Sequence, residues 1–357
     1  MSLERLSLED FRCVARAELD CDPRCNLITG ENASGKTSLL EAIFFLGRGR
    51  SFRSARNDLL IRHGAAQFSL LARVRQGAVA QPLGVRLSGE GIEARHAGRT
   101  IGGLAELATV FPVQAIDPEV HRLVDGGPQE RRRYLDWGVF HVEPNFVELW
   151  RRYQRALRQR NACLKAGQPN ALVQAWDQEL VEAGAAVAEH RLRYLQGLSA
   201  AVRSVGQRLL GAEIELSLHQ GWSADRTLAE ALAHALPRDR ERGLTHAGPH
   251  RADLALRVAG LPARDRVSRG QQKLLAATLL LGQLAHDAEQ GSSMAALLVD
   301  DPAAELDSGN LERLLDEVIQ LPVQLFLTAL DPSNPALQRL PAARRFHVEH
   351  GVLTRLI

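Results

Sequence analysis

The fold is decided by the stretch Gly30-Glu31-Asn32-Ala33-Ser34-Gly35-Lys36-Thr37, which fits the pattern G-x-x-x-x-G-K-[ST]. A short strand candidate, residues 24–29, precedes it, and an apolar helix candidate, residues 37–46, follows it. Glycines let the backbone turn so that successive N–H groups point inward, where the start of the helix adds its positive end. Lys36 would reach the β- and γ-phosphates, and the Thr37 hydroxyl would bind Mg²⁺. A flexible glycine turn is the plain alternative, but the flanking strand and helix favour a phosphate-binding loop.

A second motif is the apolar run Leu297-Leu298-Val299, which is followed by Asp300 and Asp301. In ATPases with a phosphate-binding loop, an acidic residue at a strand end holds Mg²⁺, which predicts that role for Asp300. Asp301 would orient and deprotonate the attacking water. Aspartates also cap ordinary segments, so this prediction depends on the presence of the loop in the same chain.

A third motif, Ser268-Arg269-Gly270-Gln271, precedes an apolar helix candidate at residues 274–284. Ser268 is a typical helix N-cap, and Gly270 keeps the backbone accessible. A hydroxyl, glycine N–H groups and a helix N-terminus together form a second receptor for an anion. A plain capped helix is the ordinary interpretation of the same residues.

The pattern of apolar residues divides the chain into three zones. The first is strand-rich, with further strand candidates at residues 67–75 and 83–87. The second is helical: a seam from Phe146 to Leu157 and from Leu172 to Leu209, with a turn at residues 167–170, fits a short coiled coil or an ordinary bundle. The third has strand candidates at 295–299 and 323–327 around a helix at 311–321, as in a largely parallel sheet. We therefore predict an α/β head, residues 1–118 and 239–357, interrupted by a helical arm at residues 119–238.

Composition bounds the class of protein. The chain has 357 residues, a formal net charge of +2 and 45% hydrophobic residues. So small a charge excludes a protein that coats nucleic acid by charge alone, and any DNA contact must come from local basic surface. No secretory signal and no long apolar run is apparent, which predicts a cytoplasmic protein without a membrane partner. The four cysteines lack zinc-site spacing and are expected to be reduced thiols.

The ordered set of motifs resembles an ABC-type ATPase head and, more narrowly, the RecF family of recombinational repair. The resemblance covers essentially the whole chain. Its specific segments are residues 10–12, 30–38, 47–53, 126–128, 131–138, 247–254, 268–275 and 300–307. It implies ATP and Mg²⁺ as cofactors. The implied ATP contacts are Gly30, Glu31, Asn32, Ala33, Ser34, Gly35, Lys36, Thr37 and Ser38.

The resemblance also implies that ATP is sandwiched between two heads. The loop of one subunit would face Ser268, Arg269, Gly270 and Gln271 of the other, with Asp307 in the D-loop. ATP binding would then drive homodimerisation, and hydrolysis, with Lys36 and Asp301 as catalytic residues, would release the dimer. The family is implied to bind double-stranded DNA near single-strand gaps and to help RecO and RecR load RecA in replication restart and the SOS response.

This chain departs from the pattern of many ABC heads at several positions. Asp301 stands where glutamate is usual, so we expect slow hydrolysis. The usual signature has a further glycine where Arg269 stands, and Thr328 and Ala329 occupy the region where a γ-phosphate-sensing histidine is usual. Gln114 is a weak match to the Q-loop glutamine in an irregular segment, and Arg12 is a further candidate for the nucleotide phosphates.

Basic clusters are the candidates for DNA contact, since arginine binds phosphate strongly. The first cluster comprises Arg151, Arg152, Arg155, Arg158, Arg160 and Lys165, preceded by Arg131, Arg132 and Arg133. A solvated helix face is the plain alternative. Arg48, Arg50 and Arg53 form a second patch, which could equally contact nucleotide or a partner head. His246 and His250 flank a glycine-proline turn and lack the carboxylates that would favour a metal.

Other functions remain in competition. A nucleotide-dependent DNA-binding adaptor, in which hydrolysis is negligible, fits the same motifs. A transporter ATPase subunit would not need so large an arm. A long-armed tether would need a far longer arm, and a damage-recognition ATPase of the excision type would need paired zinc cysteines.

Overall fold

The structure, a computed structural model, describes residues 1–292, 295–341 and 343–356, except for the side chains of Asp265 and Arg266. The strands are β1 Ser2–Phe11, β2 Val14–Asp20, β3 Cys25–Thr29, β4 Phe68–Gln76, β5 Val79–Ser88, β6 Gly91–His96, β7 Arg99–Thr100, β8 Val113–Ile116, β9 Ile214–His219, β10 Asp253–Val258, β11 Leu261–Pro262, β12 Ala296–Val299, β13 Gln324–Ala329, β14 Arg344–Glu349 and β15 Val352–Leu356. The helices are α1 Lys36–Arg48, α2 Leu104–Val110, α3 Arg122–Asp125, α4 Pro128–Val142, α5 Phe146–Lys165, α6 Asn170–Gln174, α7 Asp177–Leu210, α8 Leu228–Arg242, α9 Ala263–Arg266, α10 Arg269–Glu289 and α11 Ser308–Gln320.

The chain divides into two compact units. The first unit contains Met1–Val120 and Ala276–Ile357, and the second contains His121–Leu275. The sequence placed the second boundary at residue 238 instead. Residues 239–275 belong with the second unit because β9, which precedes that boundary, pairs with β10, which follows it. A boundary at residue 238 would assign two paired strands of one sheet to different domains.

The first unit is built on two sheets. One has the order β15-β14-β3-β13-β12-β8, with β14, β3, β13, β12 and β8 parallel and β15 antiparallel to β14. The other is antiparallel, with the order β2-β1-β4-β5-β6-β7. The predicted strands of the first and third zones are thus confirmed, as is the parallel pair β12 and β13 around α11.

Helix α1 lies at the centre of this unit. Its apolar side chains belong to one core cluster with residues of both sheets. Buried residues occur on every side of the helix, which is typical of a helix enclosed by protein rather than one with a solvent face. The N-terminus of α1 directly follows the predicted phosphate-binding loop, so the core itself holds that loop in place.

The second unit is mainly helical. Tyr153 and Leu157 of α5, Leu180 of α7 and Leu232 of α8 share one buried cluster. The presence of α8 in this cluster favours the bundle over the two-helix coiled coil. A further short helix, α6, follows the predicted turn. Leu172 on this helix is 52% exposed, so the inclusion of Leu172 in the seam was wrong. No helix among the described residues has both the length and the apolar character needed to span a bilayer.

Candidate nucleotide site

The loop between β3 and α1 has the backbone that its sequence requires. Gly30, Ala33 and Gly35 have φ values of 154°, 61° and 117°. A Cβ atom at Gly30 would lie 2.3 Å from the carbonyl oxygen of Val348, so glycine is needed there for space as well as for φ. The N–H of Gly351, in the turn between β14 and β15, donates to Ser34 O at 2.8 Å and anchors the loop from outside.

Two side chains of the loop fit an anion. The Ser34 hydroxyl is buried and has no hydrogen-bond partner, an arrangement that costs free energy unless a ligand supplies one. Lys36 is 6% exposed, and its Nζ donates to Gly30 O at 2.7 Å and to Glu31 O at 2.8 Å. The ammonium group therefore lies over the loop. Phosphate oxygens would provide stronger, charge-assisted acceptors than these carbonyls.

Thr37 meets the end of strand β12. Its hydroxyl lies 2.9 Å from Asp300 Oδ2 and 3.1 Å from Oδ1, and Asp300 is 7% exposed. The sequence predicted these two residues as partners at a Mg²⁺ site although they are far apart in the chain. A hydroxyl beside a carboxylate provides the hard oxygen ligands that Mg²⁺ prefers, so the residues present fit that ion.

Asp301 has a strained backbone and a shifted pKa. Its φ of 43° lies in the left-handed region, which is unusual for a residue with a side chain. Burial raises the pKa of its carboxyl, nearby Lys36 opposes that shift, and Asp300 and Glu305 add to it. The chain therefore turns at Asp301, directly after the buried Asp300.

Thr328, which sequence reasoning treated only as the residue replacing a histidine, contacts both aspartates. Its hydroxyl donates to Asp300 Oδ1 at 2.7 Å and accepts the backbone N–H of Asp301 at 2.8 Å. Aligning the parallel strands would have indicated the contact, because Leu327 pairs with Val299 and the next residues are Thr328 and Asp300.

A buried carboxylate on α1 was also missed. Glu41 is fully buried and accepts from Arg12 Nε at 2.9 Å and Nη2 at 2.7 Å, as well as from the Ser51 hydroxyl. Arg12 Nη1 donates to Leu59 O at 3.0 Å. Arg12 therefore ties α1 to the turn between β1 and β2, and its contact with nucleotide phosphates stays a prediction. The apolar residues around Glu41 in the sequence do not indicate its ion pair with Arg12.

Gln114 lies in strand β8 and not in an irregular segment as expected. It is 6% exposed, its Nε2 donates to Gln283 Oε1 at 2.9 Å, and its Oε1 accepts from Arg48 Nη2 at 2.9 Å. Both ends of the amide are thus bonded inside the protein, which weakens the prediction that Gln114 contacts ATP. Arg48 also donates to Val113 O at 3.0 Å, so it is wrong as a member of a surface patch. Arg50 and Arg53 are exposed.

The signature motif has the predicted cap. Ser268 N donates to Gln271 Oε1 at 2.9 Å, and Gln271 N lies 3.4 Å from the Ser268 hydroxyl, which is a reciprocal capping box. Residues 268–271 are all exposed at the start of α10. In the first unit, Asp307 caps α11 by accepting from Asn310 N at 2.9 Å.

The three arginines of the basic triplet before α5 differ in exposure. Arg131 is buried and bonds both oxygens of Asp253, at 2.7 and 3.0 Å. Arg132 donates to Ala252 O at 2.6 Å, and Arg133 pairs with Glu130 on the same helix. The prediction that Arg131 contacts DNA was therefore wrong, because its guanidinium group is buried and bonded within the protein, whereas the half-buried Arg132 is weakened as a candidate by its one internal bond. Arg133 alone is exposed.

Helix α5 separates its basic residues by face. Arg160 is fully buried and pairs with Asp177 and Asp239 at 2.7 Å each, so its assignment to a DNA surface was wrong. Arg152 pairs with Glu179 at 2.7 Å. We call the remaining exposed residues the α5 stripe: Arg151, Arg155, Arg158 and Lys165. They lie within about 80° of one another around the axis, at roughly 3.6 residues per turn.

The histidine pair is part of the interior of the second unit. His246 Nδ1 lies 2.9 Å from Asp239 Oδ1, and His250 bridges the Tyr153 hydroxyl and Thr245 O at 2.5 and 2.9 Å. Burial lowers the pKa of His250 to about 4. These contacts explain both residues as structural, in line with the turn expected there.

Comparison with known proteins identifies the family. The family described as RecF/RecN/SMC N terminal domain matches residues 2–339. The chain is 41% identical to the DNA replication and repair protein RecF of Stenotrophomonas maltophilia, with 98% of each chain covered. It is 39% identical to the protein of that name from Shewanella oneidensis, with 99% of each covered.

Solved structures agree. A structure of the recombination mediator protein RecF-ATP in the RecFOR pathway matches with a TM-score of 0.90 and 25% identity, covering 100% of this chain and 98% of the other. The corresponding RecF-ATPrS structure matches with a TM-score of 0.87 and 26% identity, covering 99% and 98%. An Smc head at 15% identity, with a TM-score of 0.61 and coverage of 100% and 98%, shares the ABC-type ATPase-head fold. With its motifs, its fold and its full-length relatives in agreement, the chain belongs to the RecF family.

Proposed function

We propose that this protein is an ATP-dependent DNA-binding protein of recombinational repair that acts in replication restart and the SOS response. ATP binding would join two copies head to head on double-stranded DNA near single-strand gaps. The pair would help RecO and RecR load RecA, and slow, DNA-stimulated hydrolysis would release it. The relatives named as DNA replication and repair proteins and the RecF-ATP structure support the general role.

One observation carries the nucleotide part of the proposal. The phosphate-binding loop, with Lys36 and Thr37, and the carboxylates Asp300 and Asp301 converge at one edge of the parallel sheet, with Thr37 and Asp300 in direct contact. Ligands of open α/β sheets bind at this edge, beyond the carboxyl ends of the strands. The unpartnered hydroxyl of Ser34 adds a polar group that a phosphate would satisfy.

Each residue has a distinct role in this proposal. The N–H groups from Gly30 to Ser38 surround the phosphates, and Lys36 neutralises their charge. Thr37 and Asp300 would hold Mg²⁺, and the ion would supply positive charge at the phosphate oxygens. Asp301 accepts the proton of the attacking water. Since aspartate is one methylene shorter than glutamate, it holds that water less closely, and we expect slow turnover.

The signature would act in trans. The exposed residues Ser268, Gly270 and Gln271 would close over the γ-phosphate of a second copy, together with Asp307. A two-fold interface of this kind closes on itself, so ATP would produce dimers and not filaments. We infer that residues 239–275 serve the head in this way although they pack in the second unit.

The DNA contact would come from the α5 stripe, together with Arg50, Arg53 and Arg133. Each is exposed and suited to bind backbone phosphate without reading sequence. The alternative function is a nucleotide-dependent DNA-binding adaptor in which hydrolysis is negligible. Asp301 favours this alternative, because aspartate is one methylene shorter than the glutamate usual at this position.

Sedimentation velocity tests the proposal. Wild type, Lys36→Met and Ser268→Arg would be compared with and without ATP and duplex DNA. We expect wild type to double its mass with ATP, Lys36→Met to remain a monomer without bound ATP, and Ser268→Arg to bind ATP as a monomer. Ser204→Arg, which adds the same charge at an exposed serine of α7, is the matched control and should dimerise.

The outcomes separate the parts of the proposal. A wild-type protein that binds no ATP would contradict the nucleotide site. A wild-type protein that binds ATP but gains no mass would contradict the sandwich. If dimers formed with ATP but bound duplex DNA no better than the monomer, ATP would not control DNA binding.

A further inference from the structure

We propose that Thr328 is a positioning residue for the ATPase reaction: its hydroxyl aligns Asp300 towards Thr37 and fixes the backbone turn that directs Asp301 into the site. This inference rests on the proposed ATPase function. It concerns a residue that contacts neither nucleotide nor water in the proposal and that acts only through the two aspartates.

The order of the strands places Thr328 at the centre of the site. β13 lies between β3, which leads into the phosphate-binding loop, and β12, which ends in Asp300. In the register of the sheet, Thr328 pairs with Ile28 on one side, and the step after Leu327 and Val299 aligns it with Asp300 on the other. β3 and β12, whose ends carry the two motifs, are thus not adjacent in the sheet, and Thr328 lies on the strand between them and bonds the residues that follow β12.

The hydrogen bonds around Thr328 have a defined direction. The carboxylate of Asp300 can only accept, so the Thr328 hydroxyl must give its single proton to Oδ1, at 2.7 Å. Its oxygen then accepts from Asp301 N at 2.8 Å. The Thr37 hydroxyl donates to the same carboxylate, with the shorter distance to Oδ2 at 2.9 Å. Asp300 is therefore held between two threonines, which fixes the plane of its carboxylate.

The same hydroxyl stabilises an unusual backbone. Asp301 has a φ of 43°, a conformation that an L-residue with a side chain keeps only when its surroundings hold it there. The Asp301 N–H is bonded to Thr328, and the 3₁₀ turn Pro302–Ala304 follows at once. Thr328 is fully buried, so its hydroxyl is not in contact with bulk solvent. Loss of the hydroxyl would release both the carboxylate and the turn.

Substitution of the hydroxyl tests the inference. Thr328→Val keeps the shape and removes the hydroxyl, and Thr328→Ser keeps the hydroxyl. Thr245→Val is the control for loss of a buried threonine hydroxyl, since Thr245 is 1% exposed and bonds Asn161 and Arg160 in the second unit. Binding of mant-ATP would be titrated with MgCl₂ and measured again in EDTA, and turnover would be measured at saturating ATP with duplex DNA.

We expect Thr328→Val to bind mant-ATP in EDTA as wild type does. Its Mg²⁺ half-saturation should rise and its kcat should fall, each by roughly 10–100-fold, as for other groups that orient metal ligands. Thr328→Ser should restore both quantities to within a few-fold. Thr245→Val should change neither. Should Thr328→Val not fold, Thr328→Cys takes its place, because a thiol is a weaker donor and acceptor.

Two results would overturn the inference in different ways. If wild type depends on Mg²⁺ and hydrolyses ATP, but Thr328→Val matches Thr245→Val in both measurements, Thr328 is only a core residue and the ATPase function stands. If wild type itself shows neither Mg²⁺-dependent binding nor turnover, the proposed function fails and this inference fails with it.

Discussion

At the scale of single residues, Asp301 separates an ATPase from an adaptor. Asp301→Asn keeps the size of the side chain but removes the group that takes up a proton. We expect kcat to fall by about 10²–10⁴-fold, which is the usual contribution of a general base, while ATP affinity is retained. Phosphate release at saturating ATP with duplex DNA measures the effect.

The control for this change is Asp225→Asn, an exposed aspartate in the second unit, which should leave turnover unchanged. Full turnover in Asp301→Asn would remove the residue from the role of base. Wild-type turnover too slow to detect, with ATP-driven dimers intact, would favour the adaptor.

Arg158 and Arg160 lie two positions apart on α5 and should behave oppositely. Arg160→Met leaves the fully buried Asp239 without its charged partner, and we expect a loss of about 3–5 kcal/mol in the free energy of unfolding. Arg158→Ala, at an exposed position, should change it by less than about 0.5 kcal/mol. Urea unfolding followed by circular dichroism measures both. Equal losses would mean that burial does not explain the difference.

At the scale of elements, the exposed face of α5 is the expected contact with DNA. Changing the four residues of the α5 stripe to alanine should weaken duplex binding and flatten its dependence on salt. Each lost phosphate contact lowers the slope of log K against log salt by about 0.9, so the full change is up to roughly 3–4. Fluorescence anisotropy over a range of KCl concentrations measures the slope.

The control for the α5 stripe removes the same charge from exposed arginines of the antiparallel sheet. Its four changes to alanine are at Arg16, Arg73, Arg86 and Arg95. If this variant lost as much affinity and slope as the α5 variant, net charge and not the position of the stripe would explain binding.

At the scale of the whole molecule, the phosphate-binding loop and the signature motif belong to different compact units. In the proposed function they contact the same ATP only when two copies form a dimer. Hydrogen exchange with saturating ATP should slow at residues 33–38 at every protein concentration, because that binding occurs within one chain. Slowing at residues 269–272 should increase with protein concentration, because it needs a second copy. Ser268→Arg should lose the second effect and keep the first. Concentration-independent slowing at residues 269–272 would contradict capping in trans.

The sequence by itself determined the parts of this protein whose signal is local. The spacing of Gly30, Gly35 and Lys36 predicted the loop because glycine fits the positive φ at Gly30 and Gly35, and at Gly30 it also fits the close approach of Val348. The apolar run before Asp300 predicted a buried parallel strand, and Ser268 predicted a helix cap, because strand burial and capping depend on neighbouring residues. Resemblance over the whole chain identified the family.

Only the tertiary structure decided which polar side chains form hydrogen bonds or ion pairs within the protein and which remain available to a ligand. Nothing in the local sequence distinguishes Arg158 from Arg160. In the structure Arg158 is exposed to solvent, whereas Arg160 pairs with the buried Asp239 of another helix. The same holds for Arg131, Gln114 and Thr328, whose partners are distant in the chain. Local spacing predicts the conformation of a segment, but the availability of a charge or a hydroxyl depends on which distant groups packing brings within hydrogen-bond distance, and burial makes those bonds obligatory.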